Sequence, residues 1–369
     1  MTSNLKKRIL VFNWWDIKNP KAGGAEVHLN EIFSRLSKDG FEVTLLCSNF
    51  SRAKKEENIN GIKVIRKGPF WLINIISILY YLKNHRKFDM VIDYTNKIPY
   101  LTPLYVRRKK SLAIAHHVFG KIWEKELGFW GKFFEFLEKM VYKLYRKKNF
   151  ITVSKSTRDE LMEIGVRPEK IKIIYSGLSC PVKSGPKSEN PLIIYLGRLK
   201  KYKRIDWILE AAPKIIDSFP EARFVIIGTG DDEQRLKTLA QKLRLNSFFT
   251  FTGFIPENPK LTYLRKAWLH IQPSIKEGWG FTVIEAAACG TPTIATDAPG
   301  LRETVVNNKT GWLFKENSQH NLEKIIIEAL SDYKKRNVLG ENAKVYARKF
   351  SWDKAALEFE EQINNILFD

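Results

Sequence analysis

Two parallel α/β/α domains in tandem are what this sequence predicts, and three observations predict them. At 369 residues the chain exceeds what one hydrophobic core usually organises. Strand-like apolar runs bounded by turn residues alternate with helical stretches. That alternation stops once, at a segment rich in Gly, Pro, Ser and Lys, and then repeats. With 44% hydrophobic, 12% aromatic and 28% charged residues, the composition is that of a chain that folds throughout.

In the first half, strands are expected at 8–13, 42–47, 63–66, 89–93, 111–115 and 150–153, with helices filling the gaps. In the second, they are expected at 192–196, 223–227, 248–252, 270–272, 293–296 and 311–314. The segment 176–190 has the composition of an exposed linker. A first domain at 1–183 and a second at 184–351 follow. The stretch 351–367 reads as an amphipathic helix, with Trp352, Ala356, Leu357, Phe359, Ile363 and Ile366 on or near one face. It is expected to return to the first domain and complete it. Tandem domains of this kind place ligands at the carboxyl ends of parallel strands, in a shared cleft.

Charge is uneven. The net charge is +22, from 62 Lys and Arg against 40 Asp and Glu; residues 1–185 hold 35 against 17, or +18, and residues 186–369 hold 27 against 23, or +4. A basic half fits an anionic partner, be it nucleic acid, a phospholipid surface or a phosphorylated acceptor, and equally a solvated lysine-rich surface. No zinc-finger spacing, RNP-type aromatic motif or helix-turn-helix pattern supports nucleic acid. Cys47, Cys180 and Cys289 are odd in number and far apart, which reads as buried thiols and not as a disulfide framework or zinc site. Residues 1–10 are polar and basic and run directly into a strand, so no signal peptide and a cytoplasmic location are expected.

Two constellations carry chemistry. Gly197-Arg198-Leu199-Lys200-Lys201-Tyr202-Lys203-Arg204 joins a strand to a helix, where backbone amides, a positive helix end and added cations suit a diphosphate; a solvated basic turn is the plainer reading. Glu277-Gly278-Trp279-Gly280-Phe281-Thr282-Val283-Ile284-Glu285 places two acids across a loop and a helix start. Its glycines allow close backbone approach to a ligand, and Glu285, next to Ala286-Ala287-Ala288, needs a partner such as a sugar hydroxyl if it is not solvated. Asp231-Asp232 follows Gly228-Thr229-Gly230 at a helix start and reads as capping. Glu233 stands where a dinucleotide fingerprint has its third glycine, which sets an oxidoreductase aside. His116-His117 closes an apolar strand, a functional location in α/β folds; no third His or Cys stands at metal-ligand spacing.

The runs GRLKKYKRID, IIGTGDDEQRL, FTGFIPE and EGWGFTVIEAAACGTPTIATDAPGLRETV, with KAGGAEVHLNEIFSRL, AHHVFGKIWEKE and ITVSKSTRDEL before them, resemble the retaining GT-B glycosyltransferases of glycosyltransferase family 4 over nearly the whole chain. The resemblance implies a GT-B fold of two Rossmann-like domains facing each other across a cleft. It implies that Arg198 and Lys203 bind the donor diphosphate and stabilise the leaving nucleotide. Glu277 contacts the donor sugar, Glu285 binds ribose hydroxyls, and the Gly278, Trp279, Gly280, Phe281 and Thr282 stretch lines sugar and phosphate. His116 lies beside the sugar, Gly23 and Gly24 form the glycine loop, Gly197 belongs to the diphosphate loop, and Phe254 and Ile255 to the base-binding loop. Arg204 stands where the family commonly has glycine. The implied activity is metal-independent hexosyl transfer from a nucleotide-diphospho-sugar, a UDP-sugar before GDP-mannose, to a glycan or lipid-linked acceptor, without cofactor. Other GT-B chemistry, such as epimerisation or a sucrose-type synthase, and a basic nucleic-acid- or membrane-binding protein are the competing readings.

Two apolar segments bear on the acceptor. Residues 69–82, PFWLINIISILYYL, are too few to span a bilayer and read as a helix buried between two strands or as an interfacial segment. Residues 129–148 carry Phe129, Phe133, Leu137, Met140 and Leu144 as a core-like stripe, with a basic remainder that packing does not explain. With Arg107-Arg108-Lys109-Lys110, they suggest a peripheral contact with anionic membrane.

Overall fold

The computed structural model describes residues 7–95, 98–120, 122–315 and 319–368. Residues 1–6, part of the N-terminal stretch expected to lack a leader, and residue 121 within AHHVFGKIWEKE lie outside the described residues. The chain packs as two units, one from the described residues up to Gly177 together with those from Ser351 onward, the other Leu178–Phe350. Residues 178–183, assigned above to the first domain, pack with the second unit.

The first unit begins with β1 (Arg8–Phe12), α1 (Gly24–Lys38), β2 (Glu42–Cys47), β3 (Glu56–Ile59) and β4 (Ile62–Arg66). It continues through α2 (Ile73–Asn84), β5 (Met90–Tyr94), β6 (Ser111–Ala115), α3 (Ile122–Leu127), α4 (Gly131–Tyr145), β7 (Asn149–Thr152), α5 (Lys155–Glu163) and β8 (Ile171–Ile173). Its strands order as β3-β4-β2-β1-β5-β6-β7-β8, parallel except for the β3–β4 hairpin. Central strands such as β5 and β6 are buried along their whole length, which is why they read as continuous apolar runs. β3 escaped the sequence reading because Glu56-Glu57-Asn58 is polar. The available signal was Asn60-Gly61, both at positive φ (52° and 89°), the pair that a two-residue hairpin turn favours. β8 escaped it by its three-residue length.

In the second unit come β9 (Leu192–Leu196), α6 (Asp206–Ser218), β10 (Arg223–Ile227), α7 (Glu233–Lys242), β11 (Phe249–Gly253) and α8 (Glu257–Lys266). After them follow β12 (Leu269–Gln272), α9 (Phe281–Ala288), β13 (Thr293–Thr296), α10 (Leu301–Thr304), β14 (Gly311–Phe314), α11 (Gln319–Ser331) and α12 (Tyr333–Ala347). Its sheet orders as β11-β10-β9-β12-β13-β14 and every pairing is parallel.

The last helix, α13 (Trp352–Phe368), belongs to the first unit. It lies on α1, with Phe359 and Phe33 ring centroids 5.6 Å apart and Arg35 bonded to Asp353 at 2.6 Å. Trp352, Ala355, Ala356, Phe359 and Ile363 are its buried residues; Leu357, expected on or near that face, is 64% exposed. Where the chain leaves and re-enters this unit, Gly177 touches Trp352 so closely that a Cβ would sit 2.2 Å from the Trp352 amide nitrogen. All three cysteines are buried free thiols.

Both apolar segments form helices, with unexpected faces. α2 buries Ile73, Ser77 and Tyr81 and leaves Ile75, Leu79 and Leu82 exposed. The stripe of α4 that reads as core is exposed, including Phe133, Leu137, Met140 and Leu144. The buried positions of α4 are Gly131, Glu138, Tyr142 and Tyr145.

The loop after β1 is tied to the sheet by a buried ion pair. Arg66 donates Nε to Asp16 at 2.7 Å and Nη2 to its other oxygen at 2.8 Å, while both side chains are at most 1% exposed. Removing one partner of such a pair strands a buried charge. Asp16→Ala is expected to cost the first unit about 3 kcal/mol, read in its urea transition; an unchanged midpoint would show that Glu57, 2.6 Å from Arg66, suffices alone.

Candidate active site

In the second unit β9, β10 and β11 are laid down in one direction, and β12 then returns to the other side of β9. The crevice at the carboxyl ends of β9 and β12 is therefore a topological switch point, the usual ligand site of an open parallel sheet. Lys203 arrives there on a short helix after β9, and Glu277 on the loop after β12. Their side chains form an ion pair, 10% and 14% exposed respectively. Gln272, at the end of β12, donates to the same Glu277 oxygen at 2.8 Å and to Ser274 at 3.0 Å. Burial pushes the Glu277 carboxyl up, but the Lys203 charge and hydrogen bonds from Lys203, Ser274 and Gln272 outweigh it and hold the group below its usual 4.5. Glu277 is thus a fixed anion at neutral pH.

Arg198 stands on the same loop, six residues after the start of β9. Its side chain is exposed and has no ion pair among the described residues, while its carbonyl accepts from the Tyr195 hydroxyl at 3.0 Å. The loop closes at Arg204, which adopts the left-handed conformation (φ 53°, ψ 38°) that costs a non-glycine residue about 1 kcal/mol. Two hydrogen bonds to Asp206 and stacking 4.0 Å over Trp207 hold it there. The residue that departs from the family pattern keeps the backbone shape that a glycine would have.

The neighbouring Gly228-Thr229-Gly230 turn packs directly on this loop. Gly197 donates to Ile227 at 3.0 Å and Leu199 to Thr229 at 2.9 Å. A Cβ on Gly228 would lie 2.0 Å from the Gly197 carbonyl oxygen, and one on Gly230 2.0 Å from that of Leu199. These glycines serve backbone contact between two loops, which needs no third glycine. Asp231 and Asp232 also differ from expectation. Asp232 occupies the N-cap of α7 but makes no capping bond; it holds Arg235 at 2.6 Å, and Asp231 pairs with Lys200.

Gly280 caps α9 in the left-handed region (φ 83°), aiming the helix's positive end at the switch point. The backbone at Gly278 lies against Gly300, whose Cβ would fall 2.3 Å from the Glu277 carbonyl oxygen. Phe281 and Thr282 begin the helix, partly buried. The Trp279 ring is buried 5.0 Å from that of Phe350, so its side chain packs and its contribution to a ligand is left to the backbone. Gly253, Phe254 and Ile255 end β11 beside this region: Gly228 donates to the Gly253 carbonyl at 2.9 Å, and Phe254 is 83% exposed.

Glu285 has a protein partner, Lys260 of α8 at 2.8 Å, which also reaches Glu257 at 2.7 Å. Burial raises the Glu285 carboxyl, and Lys260 offsets this only in part. Lys260 and Gln272 are site residues that sequence reasoning missed. Gln272 had a signal, a polar side chain ending an apolar strand; Lys260 had none, because its distance from Glu285 closes only in the folded sheet.

Gly23, Gly24 and His116 lie in the first unit. Gly23 caps α1, its amide donating to Glu26 at 2.7 Å, and Gly24 opens the helix. His116 ends β6 beside Tyr94 and stands edge-on to His28 of α1, ring centroids 4.8 Å apart. His28 bonds the Tyr94 hydroxyl at 2.9 Å. Nε2 of each histidine has no hydrogen-bond partner among the described residues. Burial lowers His116 to about 4; burial, then the charge of His116, takes His28 well below its usual value. Both are neutral at pH 7. His28 and Tyr94 were missed, since their periodicity is that of ordinary core positions. Among the described residues no three His, Cys, Asp or Glu side chains gather as a metal site would require.

A sequence profile of "Glycosyltransferase Family 4" matches residues 22–180, and one of "Glycosyl transferases group 1" matches residues 181–346. The chain belongs to glycosyltransferase family 4. An uncharacterized glycosyltransferase of Methanocaldococcus jannaschii is 27% identical over 387 aligned residues, covering 96% of this chain and 97% of that one. Among solved structures, sucrose-phosphate synthase of Thermosynechococcus elongatus superposes with a TM-score of 0.84 at 20% identity, covering 98% and 99% of the two chains. HepE of Anabaena, in complex with UDP-glucose, superposes at 0.76 with 18% identity over 97% and 99%. This glycosyltransferase therefore has the GT-B fold, with two parallel-sheet α/β units.

Two outcomes follow for the enzyme. Gly230→Ala is expected to separate the two loops and lower the second unit's melting temperature by several degrees, whereas Thr229→Ala leaves it nearly unchanged; equal melting would show that the turn yields freely. In the first unit, a histidine with a lowered folded pKa favours unfolding in acid, because the unfolded chain binds its proton first. His116 should therefore withdraw about 3 kcal/mol as pH falls from 6.5 to about 4, and His116→Gln should flatten that slope in pH-dependent urea unfolding.

Proposed function

We propose that the enzyme transfers a hexosyl group, with retention and without a bound metal, from a nucleotide-diphospho-sugar to a glycan or lipid-linked acceptor. The observation that carries this is the Lys203–Glu277 pair at the β9/β12 switch point, with the exposed Arg198 on the same loop as Lys203. Breaking a sugar–phosphate bond loads negative charge on the departing diphosphate, and preorganised cations with a helix amino end stabilise that charge. Arg198 supplies a free cation and Lys203 a fixed one. Glu277 both orients Lys203 and presents its second oxygen to sugar hydroxyls. Glu285, steered by Lys260, accepts from the ribose. His116, neutral and carrying an unpartnered Nε2, has the hydrogen-bonding capacity for the sugar.

A UDP-sugar is favoured over GDP-mannose, supported by the UDP-glucose in the HepE neighbour. No carboxylate stands out as a covalent nucleophile, so the leaving phosphate takes the acceptor proton on the same face of the sugar. The cytoplasmic location expected from sequence is part of this reading.

A thermal-shift panel of UDP, UDP-glucose, GDP and GDP-mannose tests the donor, because a ligand that binds only the folded state raises its stability by mass action. Uridine ligands should shift melting most. Arg198→Ala should then lower kcat/KM by about a hundredfold or more while leaving the melting of the free protein unchanged. No shift with any nucleotide, or full activity without Arg198, would overturn the assignment.

A further inference from the structure

Helix α4 is amphipathic the wrong way round for a helix that only packs. Its inward side is polar in function. Glu138 accepts from the Phe119 amide at 2.8 Å, the Gly120 amide at 2.7 Å and Trp123 Nε1 at 3.1 Å. Tyr142 donates to the Thr95 carbonyl at 3.2 Å, and Tyr145 donates to buried Asp93. The outward side carries the aromatic and aliphatic residues. Phe129 is 90% exposed, Trp130 65%, Phe133 56% and Phe136 63%, followed by Met140 and Leu144.

The neighbouring helix repeats the pattern. Trp71 before α2 is 68% exposed, and Ile75, Leu79 and Leu82 along it are each more than half exposed. Both helices border one loop, 98–106: Asn74 donates to the Pro99 carbonyl at 3.0 Å, and the Tyr145 hydroxyl accepts from the Thr102 amide at 3.2 Å. Leu104 of that loop is 65% exposed. Topology agrees, because β1 to β2 and β4 runs one way along the sheet and β5 to β7 the other. Right-handed crossovers then put α2 and α4 on the same face, opposite α1.

Charge selects what covers this face. Residues 129–148 hold six Lys and Arg against two Asp and Glu, and one of those acids, Glu138, is buried. Lys132, Lys139 and Lys143, all exposed, recur at helical spacing along one edge of the apolar stripe. Lys83, Arg86 and Lys87 close α2 and are also exposed. An apolar ridge of aromatics with lysines beside it is the composition of a helix lying in a membrane interface, where rings sit at headgroup level and lysine stems extend to the phosphates.

We infer that this face of the first unit docks on an anionic phospholipid surface, with Phe129, Trp130, Phe133 and Phe136 entering the headgroup region. None of the described helices is long and apolar enough to cross a membrane, and the contact is interfacial. It deepens the acceptor side of the proposed reaction but uses no residue of the transfer site.

Flotation of the full chain tests it, with vesicles of phosphatidylcholine alone and of equal parts phosphatidylcholine and phosphatidylglycerol. The protein should rise with the mixed vesicles and not with phosphatidylcholine alone. The variant Lys132→Gln/Lys139→Gln/Lys143→Gln should lose about a hundredfold in affinity, since each cation near an acidic surface contributes about 1 kcal/mol. Phe129→Ser/Phe133→Ser/Phe136→Ser should lose at least tenfold. Both variants should keep the wild-type melting temperature and response to UDP-glucose. Failure of the wild type to rise, or wild-type binding by both variants, overturns the inference. So does a dimer that the serine variant converts to monomer without any flotation, because a second copy would then be the occupant. Flotation that persists where no nucleotide sugar binds would instead refute the transfer reaction and leave the membrane contact standing.

Discussion

The candidate site of the second unit depends on one charged contact. Lys203 and Glu277 come from opposite sides of a strand-order reversal, and their ion pair joins two loops that also meet where the Ile275 amide donates to the Tyr202 carbonyl at 3.1 Å. Gln272 and Ser274 complete the contact, so the carboxylate stays charged despite burial. A desolvated pair of this kind adds little net stability over an apolar substitute. What it supplies is position: a lysine held in a single place, on the loop that also carries the exposed Arg198.

Backbone proximity supports that contact. Gly228 and Gly230 let a second turn lie against the loop of Gly197 and Leu199, which fixes where Arg198 projects. Arg204 shows that the loop's shape matters more than the residue type that usually makes it. Its left-handed backbone is retained with a side chain present, because Asp206 and Trp207 hold the guanidinium. Gly280 and Gly300 serve the Glu277 loop in the same way. Substitutions here act through geometry as much as through chemistry.

The first unit divides its polar groups differently. Its interior contains Asp93, His28 and Glu138, all buried, with tyrosine hydroxyls or backbone amides as partners, and His116, buried with its ring against that of Tyr94. Hydrogen bonding inside the unit frees the apolar sides of α2 and α4 to face outward. In a helix whose buried anchors are Tyr142 and Tyr145, apolar periodicity no longer marks the core.

Most of the architecture was legible without coordinates. Twelve expected strands coincide with observed ones within a residue or two, because strands buried on both faces advertise themselves as apolar runs. That Arg198, Lys203 and Glu277 sit on short loops leaving strands, and Glu285 in the helix that follows, was legible from the alternation of elements along the chain. Local chemistry settles such features within a few residues of chain. Tertiary structure alone decided the rest: that Lys203 closes on Glu277, that Lys260 faces Glu285, that His28 stands against His116, and that the stripe of α4 points outward. Those outcomes depend on which distant segments become neighbours when the sheets assemble, and periodicity along one helix does not reveal which of two apolar-looking faces the rest of the chain will cover.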